Sequence, residues 1–515
     1  MGFELEEATI MELQYRMEQG EHTAVSVASA YLERIEDLDR GGPRLGSVIE
    51  VNPDALAIAH DLDEERRSRG PRGPLHGIPI LVKDNMDTGD RMMTTAGSLA
   101  LFGHRAAADA HVVSRLRKAG AVVLGKLNLS EWANFRSTHS TSGWSARGGQ
   151  CRNPYSLDRT PWGSSGGSAV AASANLAAAT LGTETDGSIV LPAAACGVVG
   201  FKPTVGLTSR AGVIPISCSQ DSVGPIARTV ADAARLLSVI AGPDPRDPAT
   251  NAIPGGSLPD YVSALDASGL KGARIGVARS VYFGYSEKAD AVIELAIAVM
   301  RDEGALIVDP ANIPTAHDLT FLSSNLTVLL YEFKAGLNAY LAASGAPVGS
   351  LEEVIAFNEA HAREEMRWFG QELFLMAQAK GSLEEPEYLE ALTVSRRYAR
   401  EEGIDAIMQC HRLDALVMPT TSPAWKIDPV VGDHIQGMGC SPAAQAGYPC
   451  ITVPAGFTHG LPIGLLFTGR AFTEPTLIRL AYSFEQATRF RRPPCFAAAV
   501  TEDVGEVDPA PLHRL

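Results

Sequence analysis

No apolar run in this 515-residue chain approaches the roughly 20 residues that a membrane-crossing helix requires. The first residues, Met1 to Glu7, are acidic where a secretory signal carries a basic flank, so a cytoplasmic protein with no membrane association is expected. Basic charge is also short: 44 Lys and Arg stand against 60 Asp and Glu, a formal net charge of −16. That sign repels nucleic-acid phosphates and anionic lipid, and neither is expected as a partner. The seven cysteines are odd in number, scattered and without a C-x-x-C pair, which predicts reduced, mostly buried thiols rather than disulfides or a metal cluster. Twelve histidines include no H-E-x-x-H or comparable spacing, so a metal is not expected. No internal repeat is found.

What is present is ordinary globular material, 45% hydrophobic and 20% charged, enough for a large core. Two helices are predicted within residues 1–40, the second opening at Thr23 and placing Val25, Ala28, Tyr31, Leu32 and Ile35 at helical spacing. Short apolar runs then recur at Ile78–Val82, Val122–Leu124, Ile275–Ala278, Leu416–Met418, Ile451–Val453 and Ile463–Phe467, most bounded by Gly, Pro, Asp or Asn. Helical patterns lie between several of them, at Val112–Ala119, Val230–Ile240, Ala289–Asp302 and Pro475–Ala487. This alternation predicts a layered α/β sheet. Residues Ala241 to Gly272, rich in Pro, Gly and Asp, read as a long surface connection. Residues 316–403 are almost continuously helix-prone and read as an excursion capping one end of the sheet, because strand-like runs resume only at Leu416. One large α/β domain over residues 1–515 is expected, with residues 1–40 as an outer helical layer.

The densest chemical signal is Gly163-Ser164-Ser165-Gly166-Gly167-Ser168, followed by the small-residue run Ala169–Leu176. Three other readings compete. A flexible linker is opposed by the immediate Ala-rich run, and a phosphate loop by the missing Gly-Lys-Ser/Thr ending. The segment also satisfies G-x-S-x-G with Ser165 at its centre, but a nucleophile elbow needs a preceding strand, and here Pro154 and Pro161 oppose one. A second cluster, Gly182 to Pro192, holds a turn that can align backbone N–H groups beside Ser188. Alone, Ser188 is as well read as a serine exposed by chance in a strand-to-helix turn, and Lys83 as an exposed lysine at a strand end. Ser268-Gly269-Leu270-Lys271 matches S-x-x-K but lacks companion motifs, and chance explains it. His361 is read on a solvated helix face.

The two Gly/Ser clusters, with Gly200-Phe201-Lys202-Pro203-Thr204, resemble the amidase signature family. The separation from Ser164 to Ser188, 188 − 164 = 24 positions, matches that family's spacing between its bridging serine and its nucleophile. Gly77 to Asp84 resembles its lysine segment, and Asp221 to Arg228 and Gly447 to Gly456 extend the likeness over nearly the whole chain. Four positions depart from the general pattern: Trp162 where Gly is usual, Glu184 for Asp, Asp186 for Gly and Val190 for Arg. Thr185-Asp186-Gly187-Ser188-Ile189-Val190, with Ser142 to Ser145 and Arg147 to Gln150, is similar to the peptide amidase branch, which deamidates C-terminal peptide amides.

The resemblance implies a mixed sheet flanked by helices and a serine acyl-enzyme mechanism without cofactor. Ser188 is then the nucleophile, Ser164 the relay, joined to Gly163 by a cis peptide, and Lys83 the base. Backbone N–H groups of Thr185, Asp186, Gly187 and Ser188 are the implied oxyanion donors. A carboxylate at 186 is repulsive to an oxyanion unless paired, so Asp186 is expected to turn towards protein donors. Lysine is a weak base at neutral pH, only about one in a few thousand being neutral, and burial must lower its pKa by on the order of 3 to 5. The helical excursion, Trp144, Trp162 and the segment near Met418 to Trp425 are the expected substrate walls. The expected substrate is a short peptide amide or other small carboxamide, and the protein a monomer or homo-oligomer. Two alternatives stand beside this: an aryl or alkyl acylamidase releasing an amine, and an amidotransferase subunit working with partner proteins.

Overall fold

A computed structural model describes residues 3–500 apart from Ser257 and Leu322, so both ends of the expected 1–515 unit lie outside the described residues. Its strands are β1 (Val48–Val51), β2 (Pro79–Lys83), β3 (Val122–Leu127), β4 (Trp144–Ser145), β5 (Gly149–Gln150), β6 (Ala179–Glu184), β7 (Val199–Lys202), β8 (Ser222–Ala227), β9 (Arg274–Val277), β10 (Leu306–Val308), β11 (Ala415–Pro419), β12 (Cys450–Thr458) and β13 (Leu461–Thr468). Eleven of them form one mixed sheet in the order β1-β3-β2-β6-β8-β7-β12-β13-β11-β9-β10, and β4 and β5 form a separate ribbon. This is a single large α/β domain: strands from both sides of the helical stretch 316–403 share that sheet.

The six expected apolar runs all fall on strands, and the four helical patterns on helices His111–Lys118, Val230–Ile240, Glu287–Asp302 and Glu474–Thr488. Thr23 caps the second N-terminal helix, Ala24–Arg34, by accepting from the Ser26 N–H. The polar or glycine-containing strands β1, β6, β7 and β8 carry no such run, and β10, Leu306-Ile307-Val308, is apolar but only three residues long. Residues 241–272 form short 3₁₀ turns, yet Thr250, Tyr261 and Leu270 are buried, so the connection packs against the body rather than lying wholly on its surface. All seven cysteines are free thiols, with Cys151, Cys196, Cys440 and Cys450 buried and Cys218, Cys410 and Cys495 exposed. Among the described residues, no helix is long and apolar enough to cross a membrane.

Three features of the fold position the site. Strand β2 lies between β3 and β6 and runs parallel to both, so the carboxyl ends of the three strands open on one edge. Sheet edges of this kind, outside the carboxyl ends of parallel strands, are where open α/β sheets bind ligands. Helix Gly166–Ser173, built of Gly, Ser, Ala and Val and buried throughout, packs closely against β6, β2 and β3. Finally, helices Ser324–Ser344, Leu351–Ala360 and Glu372–Gln378 bury Phe333, Leu337, Val354 and Phe374 with Trp132, Phe135, Ile214 and Ile216, which fastens the helical stretch over the loops of that edge.

Candidate active site

Lys83 is the last residue of β2 and is fully buried. Its Nζ donates to Ser164 Oγ at 2.7 Å, Thr183 Oγ1 at 2.8 Å and Ser165 Oγ at 3.0 Å, with the Thr183 carbonyl at 3.4 Å. An ammonium has three donors, and here three neutral hydroxyls occupy them. Burial lowers the Lys83 pKa to about 7, against the pull of Asp221 and Glu184, which favour the charged form. Roughly half of the amine is then neutral at pH 7. The sheet register explains the contact: Val82 pairs with Leu181 across β2 and β6, which brings the ends of these parallel strands, Lys83 and Thr183, together.

Ser164 and Ser165 lie on the loop that enters helix Gly166–Ser173, and no strand immediately precedes them, so the elbow geometry is absent. The Gly163-Ser164 peptide is cis. A side chain on Gly163 would run into the Ser130 hydroxyl. Ser130 in turn donates its N–H to the Ser164 carbonyl at 3.0 Å and accepts the Gly143 N–H at 2.9 Å. Ser165 joins the two Gly/Ser clusters: its hydroxyl donates to the Thr183 carbonyl at 2.9 Å, and its N–H to the Ser188 carbonyl at 3.1 Å.

The turn after β6 carries Thr185, Asp186, Gly187 and Ser188. Gly187 has φ +83°, and a Cβ there would collide with Leu191. Glu184, fully buried at the strand end, accepts the N–H groups of Ile189 and Val190 at 2.8 and 3.0 Å and ties the turn together. Burial raises its pKa, with Lys202 opposing. Thr185 donates to Asp221 at 2.6 Å, whose other oxygen takes the N–H groups of Ile216 and Ser217. Asp186 turns to protein donors as expected, accepting from Ser441 Oγ at 3.1 Å and Cys440 Sγ at 3.6 Å. Loss of water, with Glu184 nearby, pushes its pKa up to about 7. Among the described residues, the N–H groups of Asp186 and Ser188 meet no backbone acceptor. Ser188 is 8% exposed, whereas Lys83, Ser164 and Ser165 are at 0%. Of the four, only Ser188 can be reached from outside.

The site thus holds a sealed amine bonded to the buried Ser164 hydroxyl, with Ser188 on an open turn that the Ser165 N–H ties to the same loop. The amidase family model matches residues 26–478, most of the chain. The chain belongs to the amidase signature family. It is 45% identical to a probable amidase of Arabidopsis thaliana over 507 residues, covering 96% of this chain and 93% of that one. The native peptide amidase of Stenotrophomonas maltophilia superposes with a TM-score of 0.93 at 54% identity, covering 96% of this chain and 100% of that one. A glutamyl-tRNA(Gln) amidotransferase subunit of Chloroflexus aurantiacus is 36% identical over 495 residues, covering 95% of this chain and 98% of that one. The protein is therefore an amide hydrolase, close in structure to peptide amidase.

Around this amidase site the two tryptophans pack rather than stand open. Trp162, 3% exposed, has φ +61°, so it adopts the left-handed backbone of the glycine it replaces, and its ring meets Trp425 edge-on at 4.4 Å. Trp144, 7% exposed, meets Phe369 at 5.3 Å, and the buried Arg136 guanidinium lies against both rings. Arg136 also pairs with Glu131 at 2.6 Å and Glu365 at 3.4 Å, a charged pin between the helical stretch and the site loops. The residues missed in the sequence are Thr183 and Asn85. Asn85 Nδ2 donates to Thr183 Oγ1 at 3.0 Å and helps fix the acceptor that faces Lys83. Their signal was present: Asn85 directly follows the lysine segment, and Thr183 lies within the Gly182-Thr183-Glu184-Thr185 motif.

Proposed function

We propose that this amidase deamidates C-terminal peptide amides or related small carboxamides, releasing ammonia through an acyl-enzyme on Ser188. Ser188 Oγ attacks the amide carbonyl and passes its proton through Ser164 to neutral Lys83. The developing oxyanion lies against backbone N–H groups of the Thr185–Ser188 turn, where losing one such donor costs on the order of 3 to 4 kcal/mol of barrier. Lys83 returns the proton to the departing nitrogen, ammonia leaves, and water, deprotonated by the same relay, releases the acid. The observation that carries this reading is the sealed Lys83, bonded to Ser164 at 2.7 Å and, among the described residues, touching no carboxylate. A lysine of that kind is a base near neutral pH, and without such a role its burial is only a cost.

The substrate class rests on the likeness to the peptide amidase, at 54% identity against 36% for the amidotransferase subunit. The acidic charge of the chain, −16, also weighs against a charged-RNA partner. We read the helical stretch 316–403 as a cap over the site, the two tryptophans as supports of its walls, and the chain as a cofactor-free cytoplasmic enzyme acting on small molecules. The test is ammonia release from peptide amides, side-chain amides and anilides by the purified protein and by Ser188→Ala. Ammonia from peptide amides, abolished by the substitution, is expected. Cleavage confined to anilides would move the function to an acylamidase, and activity undiminished in Ser188→Ala would remove the nucleophile.

A further inference from the structure

If ammonia is the leaving group, everything large in the substrate belongs to its acyl side and needs room close to Ser188. Asp186, two positions before Ser188 in the chain, lines such a space. A cavity of about 470 Å³ opens beside Asp186, with Tyr282, Tyr285, Leu326, Ile435 and Met438 among its walls. That volume lies within the roughly 300–1,000 Å³ of small-molecule sites. It exceeds what a simple carboxamide fills.

Among the residues lining it, Asp186 is the only charged one. Its Oδ1 is committed to Ser441 and Cys440, which fix the carboxylate in place. Its Oδ2 has no partner among the described residues, and the side chain is half-buried at the cavity wall. Gln445, a neighbour in the same wall, is already engaged, donating to the Leu319 carbonyl and accepting from Ser395. A fixed carboxylate oxygen without a protein partner, in a wall that is largely apolar and carries no other charge, calls for a donor from the ligand. Glycine, the family's usual residue here, offers no such acceptor.

Building on the proposed function, we infer that Asp186 is a specificity-determining residue, whose Oδ2 accepts an N–H from the residue bearing the scissile amide while that residue's apolar side chain fills the cavity. The donor is either the peptide N–H of an acylated residue or the ammonium of a free amino-acid amide. Both present N–H one atom from the carbon that bears the reacting carbonyl. A hydrogen bond to a charged group is worth about 10- to 100-fold in kcat/KM.

The experiment is a cycle of two enzymes and three substrates: wild type and Asp186→Asn, each with N-acetyl-phenylalanine amide, its N-methylated counterpart and free phenylalanine amide. In the variant, the amide oxygen stays with Ser441 and the NH₂ faces the substrate donor. Wild type is expected to prefer the N–H substrate over the N-methyl one by about 10- to 100-fold, and the variant to lose most of that preference. Loss on free phenylalanine amide instead would assign the donor to the ammonium. An equal loss on all three substrates, with wild type active, would overturn the inference and leave the proposed function standing. A wild type inactive on all three but active on anilides would overturn both. Should Asp186→Asn fail to fold, Ser441→Ala, which releases Oδ1 and lets the carboxylate swing away, must weaken the same preference, and an unchanged preference there refutes the assignment.

Discussion

Thr183→Val removes one of the three hydroxyls that face Lys83 while keeping the shape of the side chain. The lost contact, at 2.8 Å, is a hydrogen bond to an ionisable amine, and its acceptor favours the charged form. Bonds of this type are worth about 1.5–3 kcal/mol, which corresponds to roughly 1–2 pH units. Asp221 and Glu184, the carboxylates that favour the ammonium, stay where they are. The pKa of Lys83 should therefore fall below its value of about 7. Because the neutral amine is the active form, the acid limb of kcat/KM moves to lower pH by about 1–2 units, and the plateau drops because a weaker base accepts the proton less well. A pH–rate profile from about pH 4.5 to 9 reads both. Asp186, also held at about 7, is controlled by repeating the profile in Asp186→Asn, where the Lys83 limb must persist. A limb that stays put or moves upward in Thr183→Val would refute the assignment of Lys83 as the titrating base, or of Thr183 as the group that tunes it.

Ser188→Ala, Ser164→Ala and Lys83→Met should each reduce kcat by on the order of 10⁴ or more, and the triple variant should be no worse than the weakest single, since the three act as a unit; ammonia release at matched enzyme concentration checks this. Gly187→Ala, forced to φ +83° and into Leu191, should cost about 1–3 kcal/mol of stability and lower kcat, as read by urea denaturation alongside activity. Arg136→Met strips the counter-charge from Glu131 and Glu365 in a fully buried cluster and should cost about 3–5 kcal/mol, with a wild-type midpoint as the contrary result.

The outline of the sheet was legible in the longer apolar strands, as in Ile80-Leu81-Val82 and Ile451-Thr452-Val453, but not in the three-residue β10, Leu306-Ile307-Val308. Strands β6 and β8 were not, because Thr180, Gly182, Thr183 and Glu184 in one, and Ser222, Gly224 and Pro225 in the other, give no hydrophobic run. Both are nonetheless buried throughout, and small residues are what let helix Gly166–Ser173 lie close over them. Lys83, Ser164 and Ser188 could be named in the sequence, but their meeting depends on register. Thr183 reaches Lys83 only because Val82 pairs with Leu181. The partners of Asp186 stand 254 and 255 positions away, at Cys440 and Ser441, beyond the reach of any local pattern. Trp162 shows the opposite limit: left-handed backbone is unusual for a bulky residue, yet Trp162 adopts it and packs against Trp425.

A lysine serves as a base only if burial outweighs every nearby negative charge, and this site holds two such charges within electrostatic reach of Lys83. Either one, if it closed to contact, would pair with the ammonium and return the pKa towards the ordinary lysine range. The structure keeps both occupied elsewhere. Glu184 is held by the N–H groups of Ile189 and Val190, directly after the nucleophile, and Asp221 by Thr185 and the N–H groups of Ile216 and Ser217. The turn that presents Ser188 is thus fastened by the same bonds that keep the carboxylates off Lys83. Disturbing those bonds would misplace the nucleophile and recharge the base together, which is a physical reason for the glutamate and the aspartate to sit so close to an amine they do not touch.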